Sequence, residues 1–106
     1  MKIPSSFKVF GTTINIVFDN NRMNDKKLYG EANYSQSKIT LSDSDGVEKL
    51  SKDRMIDTFY HEKVHVILDG MYERDLSANE KFVDVFAKLL RQSDETAEYK
   101  GCHEYQ

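Results

Sequence analysis

The sequence predicts a single α+β domain in which a small antiparallel β-sheet packs on two main helices. Three observations predict this class. Before residue 46, short runs alternate apolar and polar residues with a period of two, which is typical of strands. After Gly46, apolar residues recur at spacings of three and four, which is typical of helices. A chain of 106 residues supports one domain, spanning 1–106, and leaves little room for a second.

The predicted sheet occupies residues 7–42, and its first two strands are residues 7–10 and 13–18. Every second residue from Ile14 to the end of the second run is apolar, as in a half-buried strand. Gly11 lies between the two runs, where it suits a turn or a bulge.

Two further runs, residues 28–34 and 38–42, predict a β-hairpin. Residues 35–37 separate them, and three residues is a length typical of a hairpin connection. The polar segment 19–27 contains three asparagines and is predicted to be a long loop.

The first predicted helix covers residues 47–69, and Gly70 is a typical residue for its C-terminal cap. Its apolar residues recur at helical spacing: Leu50, Ile56, Phe59, Tyr60, Val64, Ile67 and Leu68. A short link, residues 71–76, precedes a second predicted helix over residues 77–92. Residues 93–106 are polar and have no clear period, so they are predicted to form a tail or a short closing element.

The composition excludes several classes of protein. Eighteen acidic and fifteen basic residues give a formal charge of −3, whereas a non-specific nucleic-acid-binding domain is usually basic. The apolar runs are far shorter than the roughly 20 residues of a membrane span, and residues 1–6 contain no apolar signal segment. Cys102 is the one cysteine and cannot form an internal disulfide. We therefore expect a cytoplasmic domain with neither nucleic acid nor membrane as a partner, while nothing in the sequence indicates its oligomeric state.

The first predicted helix contains the motif His61-Glu62-Lys63-Val64-His65. Residues four apart lie on one face of a helix, so both imidazoles can bind one metal ion. Glu62 lies off that face and can reach a metal-bound water as a general base, which is what amide hydrolysis at neutral pH requires. A pair of solvent-exposed histidines is the alternative, but the apolar neighbours of the motif argue against it. The motif therefore predicts a zinc site.

Catalytic zinc normally has three protein ligands and one open position. Glu80, in the second predicted helix, is the candidate third ligand. Glu80 and Asp84 share a helix face, so one can bind the metal while the other accepts a hydrogen bond from a ligand imidazole. Two alternatives stay open: residues 77–80 also match a capping box, in which Glu80 would bond to its own helix backbone, and Asp84 or Asp69 can replace it as the ligand.

The pattern His61-Glu62-x-x-His65 followed by Asn79-Glu80-x-x-x-Asp84 resembles the gluzincin signature of thermolysin-like metallopeptidases. The resemblance implies a minimal zincin-like metallopeptidase fold that binds Zn²⁺. It implies the following roles: His61, His65 and Glu80 as zinc ligands, Glu62 as the general base, and Asp84 as the hydrogen-bond partner of His61.

The short form of the pattern, with Phe86-Ala87-x-Leu89-Leu90 after the glutamate, is also similar to the small ImmA/IrrE-type peptidases of bacteria and mobile elements. That resemblance implies cleavage of a regulatory protein, often a repressor. It places the substrate in the same cell as the enzyme.

Peptide hydrolysis also needs a group that stabilises the oxyanion as water attacks the carbonyl. His103 in the tail is one candidate, with a disordered terminal histidine as the alternative. Phenol groups are the other candidates: Tyr60, Tyr72, Tyr99 and Tyr105. Cys102 is either a further zinc ligand, which would block the water, or an ordinary thiol.

The sequence therefore predicts a zinc-dependent endopeptidase that acts on a protein or peptide. The hairpin over residues 28–42 is the candidate edge along which an extended substrate adds by backbone hydrogen bonds. One alternative is a catalytically weak or inactive zincin-like protein that grips a partner such as a repressor. Another is a purely structural zinc site, with Cys102 or His103 as the fourth ligand.

Overall fold

The computed structural model describes residues 2–101, which form one sheet and four helices, so the predicted α+β class is confirmed. The elements follow one another as β1 (Ser6–Val9), β2 (Thr12–Phe18), α1 (Asn20–Lys26), β3 (Gly30–Asn33), β4 (Lys38–Leu41), α2 (Lys52–Gly70), α3 (Arg74–Ala78) and α4 (Glu80–Thr96). Among the described residues, no helix has the length and apolar character needed to cross a membrane.

The sheet has the strand order β1-β2-β4-β3 and is mixed, so the predicted antiparallel arrangement is wrong for one strand pair. The pairs β1–β2 and β3–β4 are antiparallel, but β2 and β4 are parallel, with Ile16 opposite Ile39. The reason is the connection after β2, because α1 carries the chain to the outer edge before β3 forms. The following hairpin then returns β4 between β3 and β2, in the direction of β2. Strand β3 is consequently an edge strand.

The segment after β2 forms helix α1, so the prediction of a long loop at residues 19–27 is wrong. Asp19 caps this helix, since its carboxylate accepts a 3.1 Å hydrogen bond from the backbone N–H of Arg22. Lys27 ends it in the left-handed conformation, with φ of 57°. Met23 is fully buried and anchors the helix. A single apolar residue produces no period, and this is why the periodicity gave no sign of a helix.

Helix α2 begins at Lys52 rather than at residue 47, because Ser51 is the N-cap and accepts a hydrogen bond from the backbone N–H of Arg54. Gly70 is the last helical residue rather than a left-handed cap. A Cβ atom at Gly70 would lie 3.1 Å from a ring carbon of Tyr34, so the glycine lets this ring pack against the end of the helix.

The second predicted helix is divided. Helix α3 consists of the end of the predicted link and the start of the predicted helix. Asn79 is not helical and separates α3 from α4. The side chain of Asn79 caps α4 by accepting a 3.1 Å hydrogen bond from the backbone N–H of Phe82. Helix α4 continues to Thr96, so the first part of the predicted tail is helical.

One apolar core joins the sheet, α2 and α4. Its buried members are Ile14, Ile39, Leu41, Ile56, Phe59, Tyr60, Val64, Val66, Leu68, Val83 and Ala87. Helix α2 therefore packs on the sheet and also on α4, and burial on these two sides holds the helix that contains the His-Glu-x-x-His motif in a fixed position.

Candidate metal centre

The two histidines of α2 and the first residue of α4 converge at one point. Nε2 of His61 lies 3.1 Å from Oε2 of Glu80, and Nε2 of His65 lies 3.2 Å from Oε1 of the same carboxylate. The three potential ligand atoms all lie within 4.8 Å of one another. The structure thus brings together the three side chains that the sequence predicts as metal ligands.

Local structure explains this convergence. His61 and His65 are one helical turn apart, so their rings lie on the same face of α2, with centroids 5.0 Å apart. Glu80 is the first residue of α4 because Asn79 provides the N-cap. The capping box considered for residues 77–80 therefore does not form, and the carboxylate of Glu80 faces the two imidazoles.

Ser77 holds the imidazole of His65 from its other side. Its hydroxyl lies 3.0 Å from Nδ1 of His65, and the residue is only 8% exposed. When Nε2 faces a metal ion, Nδ1 carries the proton and donates it to an acceptor such as this hydroxyl. The sequence indicates Ser77 only as part of a capping box at the start of the second predicted helix, because no spacing relates it to His65 on the other helix, twelve residues earlier.

Asp84 lies beside the other histidine. Its Oδ1 atom is 3.9 Å from Nδ1 of His61, which is beyond hydrogen-bond distance. The same oxygen accepts a 2.8 Å hydrogen bond from Lys88, and this bond lowers the pKa of Asp84. Asp69, the other alternative ligand, lines the cleft but is not a member of the three-ligand group.

Glu62 lies between the histidines and the edge strand β3. The backbone of Ala32 in β3 lies close enough to the Glu62 carboxylate to act against a rise in its pKa. The strand approaches closely because residue 30 is a glycine: a Cβ there would lie 2.6 Å from Cγ2 of Thr58 and 3.1 Å from Cγ of Glu62. Burial, together with the charge of Glu80, raises the pKa of Glu62 to about 7.

These side chains line an open cleft of about 470 Å³ between β3 and α2. Gly30, Glu31 and Ala32 form one wall, and the motif of α2 forms the other. The side chain of Glu80 is 68% exposed, whereas those of the two histidines are 25% and 16% exposed. The ligand group is therefore held by the protein on the histidine side and is open to solvent on the glutamate side.

The structure does not bring Tyr60 into this cleft. Its ring is buried in the core, and its hydroxyl donates a 2.7 Å hydrogen bond to Asp94. Tyr72 and Tyr99 are 79% and 94% exposed. The remaining candidate oxyanion donors and the cysteine, namely His103, Tyr105 and Cys102, lie outside the described residues.

The three side chains could hold a metal ion, and their donor atoms are of the kinds that zinc binds. Zinc binds imidazole nitrogen and carboxylate oxygen at about 2.0–2.2 Å, so tetrahedral geometry places two ligand atoms about 3.3 Å apart. Glu80 lies 3.1 Å from His61 through Oε2 and 3.2 Å from His65 through Oε1, and one ligand atom from each of the three residues lies within 4.8 Å of the others. Two imidazoles and one carboxylate are also a donor set that zinc uses in catalytic sites. Within residues 2–101 this group offers three ligands, which is the number that catalytic zinc sites use.

No family model matches the chain, and neither the curated proteins nor the solved structures contain a match.

Proposed function

We propose that this protein is a zinc-dependent metallopeptidase that hydrolyses peptide bonds in a protein substrate. The observation that supports it most strongly is the convergence of His61, His65 and Glu80 beside the half-buried Glu62, at an open cleft. A zinc ion held there would lower the pKa of a bound water and polarise the substrate carbonyl.

Each side chain of the site has its own part in the proposed reaction. His61, His65 and Glu80 hold the metal, and Ser77 fixes the ring of His65 through Nδ1. Glu62 takes a proton from the attacking water and later gives it to the leaving amine.

The position of β3 supports a peptide as the substrate. This strand forms the edge of the sheet and also one wall of the cleft. An extended peptide can therefore pair with β3 and lie across the metal-binding residues, because an edge strand presents unpaired N–H and C=O groups. The resemblance to ImmA/IrrE-type peptidases favours a cytoplasmic regulatory protein as the natural substrate.

The test is zinc-dependent cleavage of unstructured proteins, such as casein, by wild-type protein and by two Glu→Gln variants. Glu62→Gln should retain zinc and lose at least about a thousandfold in cleavage rate, because no carboxylate remains to accept the proton. Glu48→Gln is the matched control, since Glu48 is exposed in the loop before α2, and it should cleave at the wild-type rate.

A wild-type protein that binds zinc but cleaves nothing would overturn the proposal. Retained affinity of both wild type and Glu62→Gln for a partner would then favour the inactive binding protein. Four protein ligands around the bound zinc, measured by X-ray absorption, would instead favour a structural site.

A further inference from the structure

A second pocket extends the cleft towards the start of α2. It has a volume of about 510 Å³ and shares Leu28, Gly30, His61 and Glu62 with the cleft at the metal centre. The two pockets therefore form one continuous groove between β3 and α2. At its far end the lining includes Arg54, from the first turns of the helix.

The pocket has three acidic side chains: Glu62, which belongs to the cleft as well, and Asp53 and Asp57, which are both paired with cations of α4, whereas Arg54 is not paired with an acid. Asp53 accepts a 2.7 Å hydrogen bond from Arg91, and Asp57 lies 3.7 Å from both Arg91 and Lys88. Within residues 2–101, Arg54 takes part in no ion pair. Its guanidinium lies instead over the ring of Tyr29, 5.1 Å from the centroid. The pocket thus contains one guanidinium that forms no ion pair with an acid of residues 2–101 and is available to a carboxylate of another molecule.

The direction of β3 relative to α2 indicates which part of a peptide reaches this pocket. Gly30 contacts Thr58, and further along both elements Tyr34 packs against Gly70, so the strand and the helix run in the same sense. A peptide that pairs antiparallel with the edge of β3 therefore runs towards the start of α2. Its residues on the carboxyl-terminal side of the cleaved bond enter the Arg54 pocket.

We propose that Arg54 binds a carboxylate of the substrate, and that the protein selects peptides with an acidic residue on the carboxyl-terminal side of the cleaved bond. This inference rests on the proposed function and adds a substrate class to it. A guanidinium is planar and can donate two parallel hydrogen bonds to a carboxylate. The Tyr29 ring restricts the guanidinium and leaves less freedom to be lost when the substrate binds.

The test uses synthetic peptide libraries in pairs that differ by Glu or Gln at one position, digested by the zinc-loaded protein and analysed by mass spectrometry. The wild type should cleave peptides with Glu on the carboxyl-terminal side at least about tenfold faster, as measured by kcat/KM, because a guanidinium binds a charged carboxylate more strongly than a neutral amide. Arg54→Gln should abolish this preference, and Arg54→Glu should reverse it in favour of Lys. Lys8→Glu makes the same charge change on the opposite edge strand and should leave the preference unchanged.

The carboxylate that Arg54 binds can belong to an acidic side chain or to the free C-terminus of the peptide. Peptides with an amidated C-terminus distinguish these two sources. A preference that persists in amidated peptides assigns Arg54 to an acidic side chain. A preference that disappears on amidation assigns it to the free C-terminus and overturns the side-chain selection proposed here. Equal cleavage of Glu and Gln peptides by the wild type, or an unchanged preference in both Arg54 variants, overturns the inference while the peptidase function stands.

Absence of any cleavage by the wild type contradicts the proposed function, and binding then decides the role of Arg54. The zinc-loaded Glu62→Gln protein, with Arg54 or with Arg54→Gln, is titrated with the same Glu and Gln peptides. Tighter binding of the Glu peptides by about tenfold that requires Arg54 supports the inference. Equal affinities overturn it.

Discussion

Helix α2 has two faces whose side chains make different kinds of contact: apolar packing on the core face and polar contacts on the cleft face. Towards the core, Val64 and Val66 are 2% and 0% exposed and belong to the apolar cluster. Towards the cleft, the side chains of His61 and His65 are 25% and 16% exposed, and their Nε2 atoms meet the carboxylate of Glu80. Apolar burial has no strict direction, whereas the polar face requires partner atoms at fixed distances on another helix. Changes on the core face should therefore alter stability, and changes on the cleft face should alter zinc affinity.

The largest expected effect is the loss of a histidine ligand. His65→Ala should lower zinc affinity about a thousandfold, because one of three ligands supplies about a third of a binding free energy on the order of 10–16 kcal/mol. The metal-free variant should unfold at nearly the wild-type temperature, because His65 lies outside the apolar cluster. Competition with a chromophoric chelator measures the affinity, and thermal unfolding measures the stability. A variant that unfolds without metal would show that the two faces are not separable.

Glu80 and Asp84 provide the next comparison, because both are acidic residues on α4 near the histidines. Glu80→Ala should lower zinc affinity about a hundredfold, whereas Asp84→Ala should lower it less than about threefold. The difference follows from the 3.9 Å separation between Asp84 and His61, and from the hydrogen bond that Lys88 donates to Asp84. The same chelator competition measures both variants. Equal losses would contradict the assignment of Glu80 as the third ligand.

A substitution on the core face should have an effect of intermediate size, and it should change stability and not zinc affinity. Val66→Ala should lower the free energy of unfolding by about 2 kcal/mol, because it leaves a cavity at a fully buried position. Val47→Ala is the matched control, since Val47 is 89% exposed, and it should change stability by less than about 0.5 kcal/mol. Denaturant unfolding of the metal-free proteins gives both values. Zinc affinity of the folded Val66→Ala protein should stay within about threefold of the wild type; a larger loss would couple the two faces.

The smallest expected effect is the loss of the contact between Ser77 and the imidazole of His65. Ser77→Ala should lower zinc affinity about tenfold, because Nδ1 of His65 loses the hydroxyl that orients its ring. Ser93→Ala, at an exposed position of α4, should leave the affinity unchanged. Isothermal titration with zinc compares the two. Identical affinities for both variants would mean that Ser77 fills space without orienting the ligand.

The parts of the site that depend on spacing along one helix could be predicted from the sequence. Helical geometry alone relates His61, Glu62 and His65, because the three residues lie within about one turn of the same helix. Glu80 is on another helix, and the sequence left it between two roles. In the structure Asn79 caps α4, so the carboxylate of Glu80 faces the histidines and not the backbone of its own helix.

Contacts between distant segments could not be predicted in this way. Ser77 reaches His65 through the packing of α3 on α2, and Asp94 reaches Tyr60 across 34 positions of sequence. The parallel pairing of β2 and β4 was missed for a similar reason, since it depends on α1, whose only buried residue is Met23. The apolar period shows which face of a strand or helix is buried, but it does not show that β4 lies between β2 and β3.

The central claim is that His61, His65 and Glu80 together hold a zinc ion, and titration of metal-free protein with zinc tests it most directly. The wild type should bind one zinc ion per chain, with X-ray absorption showing two imidazole nitrogens and oxygen ligands that include water. The double variant His61→Ala/His65→Ala should bind none at the same concentrations. No uptake of zinc by the wild type, or equal uptake by the double variant, would contradict the claim.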